Sequence, residues 1–561
     1  MTIPSLILFF LPIASSLTNF PIVHTSYGSI RGYEYRAKNG FVAEIFKKIP
    51  YASPPIGERR WKKPVPPEGW NYTIDGTFFG PGCPQNPPRF LTGHSEDCLT
   101  LNIYTSKACR ESISCPVVLF IHGGNAVKSG TMDYTDEALV TNFASQGVIM
   151  ITVDYRLGVF GVMALGDENV LPANLAVHDV LESLYFIRKE IHNFGGDKEE
   201  ITIMGQSTGA TIVSVLAFSP GANKPGESPL FARAIAMSTS PVLNDEEEQV
   251  RGSHAIAAEL GCSGTAQEII DCLKPFSTAE ILHAISPEVR KRLDALVIDI
   301  TIAGELLPIQ NVKKLFENQK PTKLLLGSTL VEVGFEPNLV NSHGCNIIGV
   351  RNKKECLEKY ERDTESGSYE PVYNAMSQAY FMFNWMMAKA QAEAGGEVYL
   401  YQYDYPLNSI HADDLFYLLG SHERVLDENE EWLSRVYPLY FTNFIKGLPL
   451  APDWNQLDPG FMNYYSINKN FTDSIEPKMK LGYHRYISDY YIDMMKFDEN
   501  LSKIKQMLFN SPVQYKQLYL SSEILSRRNI IFVSVLFSMI TYFILTRFRI
   551  CEQNGEKNPI L

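Results

Sequence analysis

One stretch constrains the fold more than any other. Ile201-Thr202-Ile203-Met204 is a short apolar run rich in β-branched residues, and it enters Gly205-Gln206-Ser207-Thr208-Gly209. Ala210-Thr211-Ile212-Val213-Ser214-Val215-Leu216-Ala217 follows and can continue as a helix. A strand that turns at once into a helix needs the two segments to approach closely. Glycines at 205 and 209 leave out the side chains that would hold them apart. Such a turn would push the Ser207 hydroxyl up from the edge of a sheet.

The rest of the chain alternates strand and helix around this turn. Residues 20–35 alternate and turn at glycines, which predicts an opening hairpin. Tyr51-Ala52-Ser53-Pro54-Pro55-Ile56-Gly57 is too proline-rich for a helix or a central strand. Residues 95–104 run from a turn into a strand. Residues 117–121 and 148–153 are continuous apolar runs of the kind a buried parallel strand shows. A helical stretch over 176–194 precedes the strand at 201–204, and later strands are predicted at 323–327 and 398–403. Residues 220–320 and 355–395 read as largely helical, capping the sheet. This alternation predicts an α/β chain, with a large, mostly parallel central sheet flanked by helices. No Pro/Ser/Gly linker and no internal repeat interrupts residues 20–500.

The ends carry targeting features. Leu6-Ile7-Leu8-Phe9-Phe10-Leu11-Pro12-Ile13, followed by small residues, predicts a signal segment over 1–16. A charge-free apolar run from Ile530 to Leu545, bracketed by Arg527, Arg528, Arg547 and Arg549, predicts a membrane-spanning helix over 529–546. The expected organisation is therefore a body over 17–505, a stalk over 506–528, the span, and a cytosolic tail over 547–561. The body would be lumenal or extracellular, at the cell surface or in the endoplasmic reticulum.

Cysteine usage fits that oxidising compartment. Cys83 and Cys98, Cys109 and Cys115, Cys262 and Cys272, and Cys345 and Cys356 are close neighbours in sequence, so small local loops are the simplest pairing. Cys551 is left over on the tail. Asn71, Asn470 and Asn500 begin glycosylation sequons. The net charge of −13, without a basic stripe, argues against a nucleic-acid partner. No cysteine/histidine cluster has zinc spacing and no glycine loop suits phosphate, so no metal and no organic cofactor is expected.

Several motifs in order resemble the type-B carboxylesterase family, which includes the cholinesterases and has an α/β-hydrolase fold. They are Ile49-Pro50-Tyr51-Ala52-Ser53-Pro54-Pro55-Ile56-Gly57, Glu96-Asp97-Cys98-Leu99-Thr100-Leu101-Asn102, Tyr155-Arg156-Leu157-Gly158 and Asn193-Phe194-Gly195-Gly196-Asp197. The resemblance spans most of residues 20–495. It implies Ser207 as nucleophile. Gly327-Ser328-Thr329-Leu330-Val331-Glu332-Val333-Gly334 is similar to the segment carrying the family's acid, which implies Glu332 in that role. Ser409-Ile410-His411-Ala412-Asp413-Asp414-Leu415 is similar to the segment carrying the base, which implies His411. His122-Gly123-Gly124-Asn125 resembles the family's oxyanion loop, with backbone N–H groups of Gly124, Asn125 and Thr208 as donors.

The implied activity is hydrolysis of a small-molecule carboxylic ester through an acyl-enzyme. Transfer of the acyl group to an alcohol or sugar acceptor shares the first half-reaction. An adhesion protein on the same scaffold is the non-enzymatic alternative, and relatives of that kind typically lack a triad member. A homodimer is compatible with the resemblance.

Some residues depart from the family pattern. Gln206 stands where glutamate is commoner, Thr208 where alanine is usual, and Asn125 where a third glycine is expected. Leu330 and Val331 replace a polar pair, and Glu336 is a second carboxylate nearby. The interval from Glu332 to His411 is 79 positions, short for the family. The loop between Cys83 and Cys98 has no tryptophan, which argues against choline esters.

Overall fold

The computed structural model describes residues 20–510, apart from 87–88, 90–92, 220, 223–228, 242, 287–298, 310–311, 318, 333–344, 346–347, 349 and 423. The predicted signal segment, the span, the tail with Cys551, most of the stalk, and Glu336 lie outside these residues. Among the described residues no helix is long and apolar enough to cross a membrane. Contacts divide the chain into two units, Met1–Met495 and Lys496–Leu561. In the second, the described residues are the end of the helix Arg485–Asn510, which carries the exposed Asn500.

The chain opens on β1 (Ile22–His24) and β2 (Ser29–Arg31), an antiparallel hairpin as expected. It then enters β3 (Tyr33–Arg36) and β4 (Val42–Pro50), while β5 (Thr73–Asp75) returns to pair with β2. Next come β6 (Thr100–Thr105), β7 (Cys115–Ile121), β8 (Ile149–Val153), β9 (Gly196–Gln206) and β10 (Arg233–Met237). The pair β11 (Asn244–Asp245) and β12 (Thr301–Ile302) stands apart. Last are β13 (Lys323–Thr329), β14 (Val398–Tyr403), β15 (Tyr464–Ile467) and β16 (Lys478–Lys480).

An eleven-stranded sheet runs in the order β16-β15-β14-β13-β10-β9-β7-β8-β6-β4-β3. From β15 across to β8 every pair is parallel, and the pairs outside that block are antiparallel. The parallel block is where the sequence is most continuously apolar, because both of its faces are covered. On one face Val118, Phe120, Met150, Met204, Ile235, Leu325 and Tyr401 pack with Leu433, Tyr437 and Phe441 of the helix Glu428–Ile445. The alternate residues Leu119, Ile121, Ile151, Ile203 and Leu326 are buried as well. The helices Leu175–Glu190, Thr208–Phe218 and Ala375–Glu393 pack on these same strands.

The expectation of a largely helical 220–320 is corrected among the described residues. Helices do form at Glu246–Glu259, Ala266–Leu273 and Thr278–His283. Arg233-Ala234-Ile235-Ala236-Met237, however, is a central strand between β9 and β13. Two alanines in five residues favour helix by local propensity, and pairing on both sides overrides it.

Disulfides join Cys83 to Cys98, Cys109 to Cys115, Cys262 to Cys272 and Cys345 to Cys356. Asn71 is exposed, whereas the Asn470 amide donates to Asp473 at 2.9 Å in a tight turn.

Candidate active site

The sheet register brings one set of strand ends together. Gln206 at the end of β9 is level with Met237 of β10, which is level with Gly327 of β13, and Thr329 is level with Tyr403 of β14. Residue 122 leaves β7 beside β9, because Ile121 is level with Gly205. The loops after these strands therefore share one edge.

Ser207 sits in the turn between β9 and the helix Thr208–Phe218 with φ 56° and ψ −128°, a strained conformation for a residue with a side chain. Its N–H donates to the Met237 carbonyl at 3.0 Å, and its own carbonyl accepts from Thr211 at 3.0 Å. The closeness that glycine permits is visible here. A Cβ at Gly205 would stand 2.3 Å from the Gly209 carbonyl oxygen, and one at Gly209 would stand 2.1 Å from that of Ile121.

Glu332 and His411 meet across two post-strand loops. Val331 and Ile410 form a single parallel bridge. Val331 N–H donates to the Ser409 carbonyl at 3.0 Å, and His411 N–H to the Glu332 carbonyl at 2.9 Å. That backbone clamp sets the side chains face to face, with His411 Nδ1 at 2.6 Å from Glu332 Oε2. The other carboxylate oxygen accepts from Thr329 N–H at 2.9 Å, and the Glu332 side chain is fully buried. A buried carboxylate fixes the imidazole with Nδ1 as donor, which leaves the lone pair on Nε2. The Gln206 amide nitrogen lies 3.2 Å from Nε2 and is placed to donate to it.

The loop 122–125 passes directly over the turn. A Cβ at Gly123 would lie 2.7 Å from the Gln206 carbonyl oxygen and 2.8 Å from Ser207 Cβ. Gly124 has φ +109°, and Asn125 takes φ 54°, a left-handed conformation that asparagine tolerates. The Asn125 side chain is exposed. Among the described residues no protein acceptor is recorded for the backbone N–H groups of Gly124, Asn125 or Thr208. Thr208 itself is buried, with its Oγ1 unpartnered.

Two neighbouring groups have shifted ionisation. Burial drives His122 down to about 4, so it is neutral near pH 7. It stacks on Tyr155 at 4.4 Å, and its Nδ1 bonds the Gly123 carbonyl at 2.8 Å, which braces the loop. Burial drives Asp414 up to about 7, a shift that the hydrogen bond from Tyr437 at 2.8 Å opposes. A cavity of about 290 Å³ opens over the site, lined by Gly123, Gly124, Lys128, Tyr134, Gln206 and His411 among others.

Three contributors were not found from sequence. Ser377 Oγ accepts the Glu332 backbone N–H at 3.1 Å. Tyr380 packs the edge of its ring against that of His411, with centroids 5.1 Å apart. Ser240 N–H donates to the Ser207 carbonyl at 3.3 Å. One signal could have found two of them: Ser377, Tyr380 and Asn384 recur at helical spacing in a segment that is apolar apart from these and Gln378.

Comparison with known proteins gives a consistent outcome. The profile of the carboxylesterase family matches residues 19–485. Juvenile hormone esterase of Tribolium castaneum is 36% identical over 285 residues, covering 48% of this chain and 46% of that protein. Carboxylesterase 1C of Rattus norvegicus is 28% identical over 508 residues, covering 79% of this chain and 90% of that one. Among solved structures, juvenile hormone esterase from Manduca sexta, with OTFP covalently attached, matches with TM-score 0.68 and 22% identity. That match covers 85% of this chain and all of the other. A thermophilic PNB esterase matches with TM-score 0.70 and 23% identity, over 84% and 99% of the two chains. At these identities the structural matches speak for the fold.

Proposed function

The chain belongs to the carboxylesterase family, and we propose that it is a serine carboxylesterase working through Ser207, His411 and Glu332. The observation that carries the reading is the buried Glu332–His411 contact at 2.6 Å, joined through Gln206 to the strained turn that presents Ser207.

A serine hydroxyl is a weak nucleophile at neutral pH and needs an adjacent base. His411 takes the Ser207 proton on Nε2 as Oγ bonds the ester carbonyl carbon. It then returns that proton to the leaving alcohol as the carbon–oxygen bond breaks. Water repeats the sequence and releases the acid. Glu332 holds the imidazole tautomer and stabilises the imidazolium. At rest the Gln206 amide competes for Nε2, so Ser207 must displace it. The carbonyl oxygen becomes an anion, and the unpartnered N–H groups of Gly124, Asn125 and Thr208 are the donors we assign to it. A donor of this kind contributes about 3 kcal/mol to the transition state in other enzymes.

The finer setting belongs to the same proposal. The four disulfides fit the secretory pathway. The apolar run over 529–546 is read as a membrane anchor that leaves the body over 17–505 outside the cytosol.

A fluorophosphonate probe followed by peptide mapping tests the reading. Ser207 is expected to be labelled, and Ser207→Ala to lose both labelling and ester hydrolysis. Folded wild-type protein that takes up no probe would point instead to a binding protein on this scaffold. Ester turnover that yields only transferred acyl product in the presence of an alcohol would redirect the second step.

A further inference from the structure

In the reaction proposed above His411 hands its proton to the leaving alcohol, so the space beside its imidazole belongs to the alcohol half of the ester. The cavity of about 290 Å³ is that space, since His411, Gln206, Gly123 and Gly124 all line it. Ligand pockets are ordinarily lined by apolar and aromatic side chains. Here Ala412 and Leu415 are the only aliphatic ones among the described residues, and most of the remaining lining is polar. Arg89 and Asp133 neutralise one another, with Arg89 Nε donating to Asp133 Oδ1 at 2.7 Å. Lys128 and Asp413 line the same cavity, and neither has an ion-pair partner among the described residues. Both are anchored through backbone. Lys128 N–H donates to the Gly124 carbonyl at 3.1 Å, which roots the lysine beside the oxyanion loop and leaves its side chain exposed. Asp413 Oδ2 accepts the Ile410 N–H at 3.0 Å, which fixes the carboxylate just past the base in the chain, with Oδ1 uncommitted among the described residues.

We propose that Lys128 and Asp413 determine specificity for an uncharged, hydroxyl-rich alcohol, of the glycerol or monosaccharide kind, on the leaving side of the ester. This rests on the serine hydrolase reading. An ammonium only donates hydrogen bonds and a carboxylate only accepts them. A hydroxyl does both, so two or more hydroxyls on one alcohol satisfy the pair together. A cationic alcohol meets Asp413 and is repelled by Lys128, and an anionic one meets Lys128 and is repelled by Asp413. An alkyl alcohol meets neither, and it strips water from both without replacing it. The same subsite works in reverse. A polyol held there attacks the acyl-enzyme in place of water. Its oxygen bonds the acyl carbon, its proton passes to His411 Nε2, the carbon–Oγ bond breaks, and Ser207 Oγ takes the proton from His411. Hydrolysis and transfer then share one preference, because one set of contacts serves the departing and the arriving alcohol.

The test uses the butanoate monoesters of glycerol and of 1-propanol, which share a carbon skeleton and differ in hydroxyls, with the choline and glycolate esters as charged arms. Each kcat/KM is divided by the alkaline hydrolysis rate of the same ester. Wild type is expected to favour the glyceryl over the propyl ester by about tenfold, and to favour it over both charged esters. Lys128→Met keeps the stem and loses the donors. Asp413→Asn keeps an acceptor for the Ile410 N–H and loses the charge. Each is expected to cut the glyceryl-to-propyl ratio by about threefold. With p-nitrophenyl butanoate as acyl donor, glycerol is expected to capture about tenfold more of the acyl-enzyme than 1-propanol at equal concentration. A wild-type ratio near one, or a ratio that either variant leaves unchanged, overturns the proposal, and so does a charged ester that outruns the glyceryl one. If a variant fails to fold, as read by thermal melting, the wild-type ratio and the capture experiment decide. Wild type that a fluorophosphonate probe labels but that ignores the hydroxyls loses only this specificity. Wild type that takes no label loses the hydrolase reading, and the proposal with it.

Discussion

Glu332 is committed on every polar atom: Oε1 to Thr329 N–H, Oε2 to His411, its N–H to Ser377 and its carbonyl to His411 N–H. Glu332→Gln keeps the shape but removes the charge and can present an N–H to the imidazole. We expect kcat to fall by roughly 10³ to 10⁴-fold with the melting temperature little changed, by analogy with acid-to-amide changes in other triads. Gln206→Glu is the complementary change. It puts a carboxylate beside Nε2, which favours the imidazolium, so the acidic limb of the kcat/KM profile should move to higher pH. A profile that does not move would show that the 3.2 Å contact is absent in solution. At this scale Ser207 was legible because its glycines and flanking apolar run are contiguous. Glu332 was legible only through resemblance, since Leu330 and Val331 disguise the segment, and Val331 proves to be the residue that bridges to Ile410. Ser240 was not legible, and the helical spacing of Ser377, Tyr380 and Asn384 does not say what that stripe faces. Nothing local marks a side chain whose partner lies far away in the chain.

The elements show why the turn admits so little variation. Gly209→Ala would drive a Cβ to 2.1 Å from a backbone oxygen of β7, and backbone cannot step aside as a side chain can. We expect a loss of stability of at least about 3 kcal/mol or failure to accumulate folded protein, seen in melts and soluble yield. Ser377→Ala leaves a buried N–H of Glu332 unpaired. It should cost about 1–3 kcal/mol in chemical denaturation while shifting kcat more than KM. Short apolar runs announced β7, β8, β13 and β14, with β-branched residues concentrated in β7 and β8 and aromatic ones in β14. β10 was missed because Ala234 and Ala236 carry no strand preference, and its place comes from its neighbours.

Over the molecule as a whole, buried ionisable groups oppose one another. Asp154, Asp299 and Asp414 are raised to about 7, mainly by burial. Each keeps its proton in the folded state after the unfolded chain has lost it, so each subtracts stability as pH rises from near 4 to about 7. His122 and His178 are lowered to about 4 and His484 to about 3, again by burial. Each binds a proton less readily when folded, so each adds stability as pH climbs from about 4 towards 6.5. The two sets pull in opposite directions over that window. Asp414→Asn removes one downward contribution. Relative to wild type it should gain stability between pH 4 and pH 7.5, by an amount on the order of 4 kcal/mol, measured by denaturant midpoints at the two pH values. Parallel curves would refute the assignment. None of this balance could be read from the sequence, because an aspartate in the chain does not announce its depth.

The single helix Ala375–Glu393 also sets a rule about chain length. One residue inserted or deleted rotates everything beyond it by about 100°. A slip between Ser377 and Asn384 would therefore swing part of the stripe from the strand ends towards the opposite side. Descendants of this sequence can exchange residues along the outer side of that helix, but they can lengthen or shorten only beyond its ends. The turn at Gly395, with its φ of +86° and open space where a Cβ would stand, is where such a change would be absorbed.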